Sequence, residues 1–410
     1  MIELKNAWLS YIGFAIAVLS TGYSVLVCII GRRRSPIYRA PPVEWPSVTI
    51  LKPLCGAEPE TYECLRSFCA QDYCSFQIIF GLREASDPAL QIATRLQREF
   101  PRRDIQIVVD RRRHGSNHKV SNLINMGAFA RHPVLILSDS DVRVKPDYLT
   151  RIVAPLLDGS VGVVTCPYRG VVRSGLWSLM GAMYINEWFM PSVRLAAAGG
   201  SQAFASGATI GIRAQVLARI GGLAALANEL ADDFRLGELT RQLGLRTILS
   251  DVEVETIVEE SAFLDLMRHE TRWLRTIRAL RPVSYGSLFL TFGVPVTALE
   301  ALWAQGAPGA ITMLALSVCA RVLLHLAVSR RTPLWHVLLV PLRDFLSLGL
   351  WGWGFATRRV QWREQVYRIS GQGLACPTPR LRSDIGARFD KPSNVGITAA
   401  SRVTGAEGLE

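Results

Sequence analysis

Lysine is scarce in this 410-residue chain: Lys5, Lys52, Lys119, Lys145 and Lys391 are the only lysines among 46 basic residues. Arginine therefore carries nearly all of the excess behind a formal net charge of +12. Paired cysteines are missing as well. The eight cysteines contain no C-x-x-C, and Cys64, Cys69 and Cys74 recur every five residues. That spacing fits neither a zinc knuckle nor a dithiol redox motif, which leaves structural thiols. No zinc-finger, RNA-binding or helix-turn-helix pattern occurs, so the basic charge points to an anionic membrane face rather than to nucleic acid. No internal repeat is found. Charge is wholly absent from 7–30, AWLSYIGFAIAVLSTGYSVLVCII, a run of 24 residues. That is enough to span the ~30 Å hydrocarbon core. Arg32, Arg33 and Arg34 follow it at once. Charge after the apolar run is wrong for a cleaved signal peptide. It fits an uncleaved anchor with its C-terminal side in the cytoplasm, where the thiols would stay reduced. The plainer alternative is a buried core helix.

Four prolines in 35–46 mark a linker. A βα alternation then begins. SVTILKPL (47–54), FQIIFGLR (76–83), IQIVVD (105–110) and VLILSD (134–139) read as strands. Residues 59–70, 88–100 and 118–130 read as the helices between them. Alternation of this kind predicts an α/β domain with a mostly parallel sheet over 47–260. Further strands are expected at 161–168 and 209–213, and one or two at 246–258, with a helix over 228–243 and loops within 168–206. Residues 261–282 form a very basic helix suited to the membrane interface. Residues 283–356 hold two to three C-terminal membrane segments, at 283–302, 306–328 and 334–356. The last contains Pro341, Arg343 and Asp344, so it spans, re-enters or lies in the interface. A cytoplasmic tail, 357–410, is expected to be largely disordered after 375.

Acidic residues recur where an open α/β sheet binds ligands, beyond the carboxyl ends of its strands. Asp87 follows the second strand, and equally suits a helix N-cap. Asp139 and Asp141 close VLILSD. Two carboxylates one residue apart suit a solvated turn, or a hard divalent cation such as Mg2+ or Mn2+ held together with substrate phosphates. Asp232 and Asp233 open the 228–243 helix, where they also complement its dipole. Arg268, Arg272 and Arg275 share a face of the basic helix, continued by Arg278 and Arg281. Such a face binds a diphosphate or anionic lipid.

The ordered set Asp87, Asp139-Ser140-Asp141, Asp233 and His269-x-x-Arg272-Trp273 resembles the D, DxD, D, (Q/R)xxRW series of inverting family 2-type glycosyltransferases. KPLCGAEP (52–59), KVSNL (119–123), SDSDVRV and ADDFRLGEL (231–239) are still more similar to glycosyltransferase family 21, the ceramide glucosyltransferase type. HGSNHKVSNLINM, INEWF and ELADDF resemble the hopanoid-biosynthesis-associated glycosyltransferases of bacteria. One departure stands out: His269 takes the place of Gln or Arg.

The resemblance implies a GT-A (Rossmann-like) glycosyltransferase domain and a hexosyl transfer with inversion. Asp87, Lys119 and Asn122 would hold the nucleotide of a UDP-sugar. Asp139 and Asp141 would hold Mg2+ or Mn2+ against its diphosphate. Asp233 would be the general base, Arg272 and His269 would act at the leaving group or acceptor mouth, and Trp273 would wall the pocket. The acceptor would be a membrane lipid at a bacterial inner membrane. A hopanoid polyol taking N-acetylglucosamine comes first, ceramide taking glucose second, and sterol or diacylglycerol glycosylation third. A processive polysaccharide synthase and a non-catalytic membrane scaffold are the remaining alternatives.

Overall fold

The computed structural model describes residues 2–30, 44–202, 205–329, 333–356, 359–362, 365–369 and 375–377. Seven strands form the main sheet in the order β3-β2-β1-β4-β8-β6-β9. They are β1 (Val48–Pro53), β2 (Phe76–Leu82), β3 (Asp104–Val109), β4 (Val134–Ser138), β6 (Val161–Thr165), β8 (Thr209–Arg213) and β9 (Arg246–Leu249). All neighbours run parallel except β8, which is antiparallel to both β4 and β6. The apolar runs are continuous rather than alternating because both sheet faces are covered. Ile50 and Ile78 enter one core layer with Phe68 and Ile136, while Leu51 and Ile79 enter the other with Leu123 and Met126. Successive residues of one strand thus feed opposite layers.

The chain builds β1, β2 and β3 outward in one direction and then places β4 on the other side of β1. That reversal opens a crevice at the carboxyl ends of β1 and β4. A small second sheet, β5-β10-β7, lies beside it, built from β5 (Val142–Arg143), β7 (Tyr168–Val172) and β10 (Val254–Val258). The expected single strand over 161–168 is in fact two, broken at Cys166-Pro167, since proline donates no ladder hydrogen bond. Residues 246–258 also divide between the two sheets.

The expected loops within 168–206 are largely helical: Gly175–Tyr184, a π-helical turn Ile185–Phe189, and Met190–Ala198. The first helix is apolar nearly all round and mostly buried, so it carries no amphipathic signature, and the π-turn adds only five residues, with Asn186 and Glu187 turned onto protein partners.

Among the described residues, three helices are long and apolar enough to cross a membrane: Ser10–Ile30, Pro308–Val328 and Leu334–Trp353. Two expectations change here. The 283–302 segment is not one straight helix. Pro282–Thr291 and Gly293–Trp303 meet at a bend of 70°, with Gly293 held close against Ser24 of the first span. The doubtful third segment is helical and, by length and composition, apolar enough to span, and its charges turn inward onto partners. Arg321 donates to Asp344 at 2.8 Å and to the Glu187 carbonyl at 2.7 Å. Arg343 reaches Glu270 at 2.5 Å. Three short strands, β11 (Arg359–Trp362), β12 (Gln365–Ile369) and β13 (Ala375–Pro377), form an antiparallel sheet. Ala375–Pro377 is therefore ordered by strand pairing rather than irregular. The remainder of the expected tail, 378–410, and most of the linker, 31–43, lie outside the described residues.

Candidate active site

Strand β4 ends at Ser138, and the chain turns through Asp139-Ser140-Asp141 into β5. This turn is held from four sides. The Asp139 amide donates to the Ala208 carbonyl at 3.1 Å, and Ile257 N donates to the Asp141 carbonyl at 3.3 Å. Thr256 donates its hydroxyl to Asp141 Oδ2 at 2.6 Å. Lys52, at the end of β1, is fully buried beneath it and donates to the Asp139 carbonyl and, at 3.4 Å, to Ser138 Oγ. Its ammonium also stands 3.8 Å from the centre of the Phe68 ring. Burial pulls the Lys52 ammonium down to about 8, against the opposing pull of Asp141 and Asp139.

Asp233 comes from the first turn of the helix Asp232–Gln242, which ends before Gly244 at φ +76°. Its Oδ1 accepts from Phe234 N at 2.7 Å. Burial, then the neighbouring Asp232 carboxylate, pushes Asp233 up to about 6, while Lys119 and the Phe234 amide hold it down. Gly207, just before β8, leaves it room: a Cβ there would lie 2.9 Å from Asp233 Oδ2. Lys119, from the first turn of the helix His118–Gly127, bridges the two acidic segments. Its ammonium lies 2.6 Å from Asp139 Oδ1 and 3.6 Å from Asp232 Oδ2. Burial would lower the ammonium, but Asp139 and Asp232 hold it raised.

Arg272 projects from the helix Phe263–Leu280 into the field of Asp139, Asp233 and Tyr168. Trp273 beside it packs on Phe189 at 5.2 Å and Tyr184 at 6.0 Å between ring centres. His269 meets Trp273 edge-on at 4.9 Å, and its Nδ1 lies 2.5 Å from Glu260 Oε1.

The structure thus brings Lys119, Asp139, Asp141, Asp233 and Arg272 to one place. Asp87 sits at the rim, where its carboxylate accepts from Gly56 N at 3.0 Å and Ala89 N at 2.9 Å. It clamps the loop after β1 to the start of a helix. Asn122 is buried, and its amide nitrogen donates to the Gly81 carbonyl at 2.8 Å, bracing the end of β2, while its Oδ1 has no hydrogen-bond partner among the described residues. The basic stripe also divides. Arg272 turns into the site, Arg278 donates to the Gly354 carbonyl at 2.5 Å, and Arg281 lies 5.3 Å from the Phe234 ring centre. Lys52 opens KPLCGAEP, where the resemblance assigns it no role; it belongs to the site with Tyr168, Thr256 and Glu260, which lie in no motif quoted for the resemblance.

Two carboxylates at a strand end offer hard oxygen donors. Asp141 is raised by burial and by the facing Asp139, which the Thr256 hydroxyl and the Lys52 ammonium only partly offset, and a divalent cation would relieve the remainder. The donor set therefore fits Mg2+ or Mn2+ completed by phosphate oxygens.

A family model described as glycosyl transferase family 21 matches residues 12–375. The chain belongs to glycosyl transferase family 21. Its sheet, with an acidic turn at the point of strand reversal, has the GT-A arrangement. Among curated family relatives, ceramide glucosyltransferase 3 of Caenorhabditis elegans is 23% identical over 58% of this chain and 52% of its own length. Ceramide glucosyltransferase of Komagataella phaffii is 34% identical over 30% of this chain and 25% of its own. The family 21 chain spans about half the length of the first of these. A solved mannosyltransferase from Pyrobaculum calidifontis, bound to GDP-mannose and Mn2+, shares 20% identity at a TM-score of 0.49, covering 85% of this chain and 97% of that one. TarS 1–349 of S. aureus with UDP-GlcNAc shares 15% identity at 0.39, over 80% and 98%.

Proposed function

We propose that this family 21 protein transfers a sugar from a UDP-sugar to the hydroxyl of a membrane lipid, with inversion at the anomeric carbon. The observation that carries this reading is the meeting of Asp139, Asp141, Lys119, Asp233 and Arg272 at the carboxyl ends of β1 and β4. One cluster there supplies charges for a diphosphate and a carboxylate for a proton.

In this mechanism Asp139 and Asp141 would hold a divalent cation, which neutralises charge on the diphosphate when bound. Asp87 and Lys119 serve the nucleotide end. Asp233 takes the proton from the lipid hydroxyl as its oxygen attacks the anomeric carbon. The bond from that carbon to the diphosphate oxygen breaks, and its electron pair leaves with UDP. Arg272 stabilises the charge that grows there. Trp273 and Phe189 wall the pocket. Attack opposite the leaving group gives a β-glycoside from an α-linked donor, with no covalent enzyme intermediate.

The lipid acceptor is supported by the placement of the site. The helix that carries Arg272 runs directly into the bent pair at 282–303, and Glu270 on it pairs with Arg343 of an apolar span. A membrane-embedded hydroxyl can reach such a cluster without leaving the interface. With Arg32–Arg34 cytoplasmic, the catalytic domain would face the cytoplasm of a bacterial inner membrane. Within this class we favour N-acetylglucosamine transfer to a hopanoid polyol such as bacteriohopanetetrol, on the wording of 114–126, 185–189 and 229–234. Glucose transfer to ceramide is the second reading, favoured by the names of the curated relatives. Incubating membranes that contain the protein with several UDP-sugars and both lipid classes, then identifying products by mass, separates the two.

A further inference from the structure

A second constellation lies behind Trp273. The helix Gly175–Tyr184, the π-turn and the helix Phe263–Leu280 enclose a small cavity lined by Gly181, Tyr184, Glu260, His269, Glu270 and Trp273. Its free volume of about 10 Å³ takes one water-sized group. Three buried polar atoms of this lining have no hydrogen-bond partner among the described residues: the Tyr184 hydroxyl, Glu260 Oε2 and Glu270 Oε1. Unpaired buried polar atoms are costly, and three around one space call for an occupant.

The chemistry of that occupant is constrained. Each carboxylate is tethered through its other oxygen, Glu260 to His269 at 2.5 Å and Glu270 to Arg343 at 2.5 Å. The open oxygens only accept, and the phenol does either, so the occupant must bring hydrogens. Each carboxylate already faces a basic side chain, so the occupant need not be a cation. A hydroxyl meets both conditions. Gly181 keeps the space, since a Cβ there would come within 3.0 Å of Glu260 Oε2.

The cavity also lies between the acidic cluster and an apolar span. Trp273 joins it to the acidic cluster through Phe189 and Tyr168, whose rings are 5.9 Å apart. Tyr168 in turn feels Asp233, Asp141 and Asp139. On the other side, Arg343 of the Leu334–Trp353 span lies 5.0 Å from the Tyr184 ring centre.

We propose that this cavity receives a second, non-reacting hydroxyl of the lipid acceptor, and so selects polyhydroxylated lipids over those with a single hydroxyl. The inference rests on the lipid-glycosylation reading above. Its test uses the full chain in nanodiscs with two matched acceptor pairs: ceramide against its 3-deoxy analogue, and a hopanoid tetrol against a hopanoid with one terminal hydroxyl. The preference is the ratio of kcat/KM within a pair. The wild type should prefer the richer member of at least one pair. Tyr184→Phe and Glu260→Gln should each cut that preference about tenfold, through acceptor KM. Tyr184→Phe removes only an unpartnered hydroxyl, so its melting temperature should hold and a folding defect would not mask the result. No preference in the wild type for either pair, or an unchanged ratio in both variants, overturns the inference while leaving the transfer reading intact, with water as the occupant. No transfer from any UDP-sugar to any of the four lipids would overturn that reading and this one together.

Discussion

Asp233 is the residue on which the chemistry turns. Its carboxyl, pushed up to about 6 by burial and Asp232, must be ionised to accept a proton. Transfer should therefore fall away as pH drops through about 6, measurable as the acidic limb of kcat/KM against pH. The same shift has an opposite sign for stability. The folded state binds this proton more tightly than the unfolded chain, so ionised Asp233 counts against the fold above its raised value. Asp233→Asn should thus lower transfer by roughly 10²–10⁴-fold while UDP-sugar binding survives, and should raise the melting temperature at pH 7.5. Wild-type turnover in that variant would contradict the base assignment. Asp141→Ala should weaken Mn2+-dependent UDP binding in a calorimetric titration; an unaltered titration would contradict its role. Asp139, Asp141 and Asp233 were legible in the sequence because each stands at a strand or helix end. The roles of Lys52, though it opens KPLCGAEP, and of Thr256 were not, because they depend on the register that sets β1 beside β4 and β10 beside β5. The orientation of Asn122 was not legible, because a polar side chain one turn from Lys119 can face either way, and here its amide nitrogen turns to the Gly81 carbonyl.

The elements divide along the same line. The first four strands and the helices between them show in the sequence because apolar runs and turn residues punctuate them. The helices within 168–206 do not: Gly175–Tyr184 is apolar nearly all round and leaves no period to read, and the π-turn and Met190–Ala198 that continue it are too short to show one. Their placement nonetheless shapes the site, because Tyr184 and Phe189 form the wall on which Trp273 rests. The entry to β8 is as demanding. Gly207 lies against the start of the helix Asp232–Gln242, and Gly207→Ala would press a methyl toward Asp233 Oδ2. Displacing the carboxylate by a fraction of an ångström should lower kcat, up to about 100-fold for a full 1 Å shift, with donor KM little changed. A kcat equal to wild type would show that the helix start yields freely.

At the scale of the whole molecule, the apolar helices are tied to the catalytic domain by buried charge. Arg321 of one span faces Asp344 of another and the carbonyl of Glu187 in the π-turn, while His325 lies 2.6 Å from Glu187 Oε1. Composition alone marked Asp344 and Arg343 as a reason to doubt the third span; only the packing shows that their partners make it feasible. Arg321→Ala should destabilise the detergent-solubilised protein by about 3–5 kcal/mol, read as a lowered melting temperature. Replacing Arg321 and Asp344 together by apolar residues should recover much of that loss. The central claim, lipid glycosylation with inversion, is tested most directly by supplying the purified full chain in lipid vesicles with an α-linked UDP-sugar, Mn2+ and the candidate lipids, then determining product mass and anomeric configuration. The account predicts a lipid carrying one β-linked hexose unit and the release of UDP. An α-linked product, a polymer, or free sugar alone would contradict it.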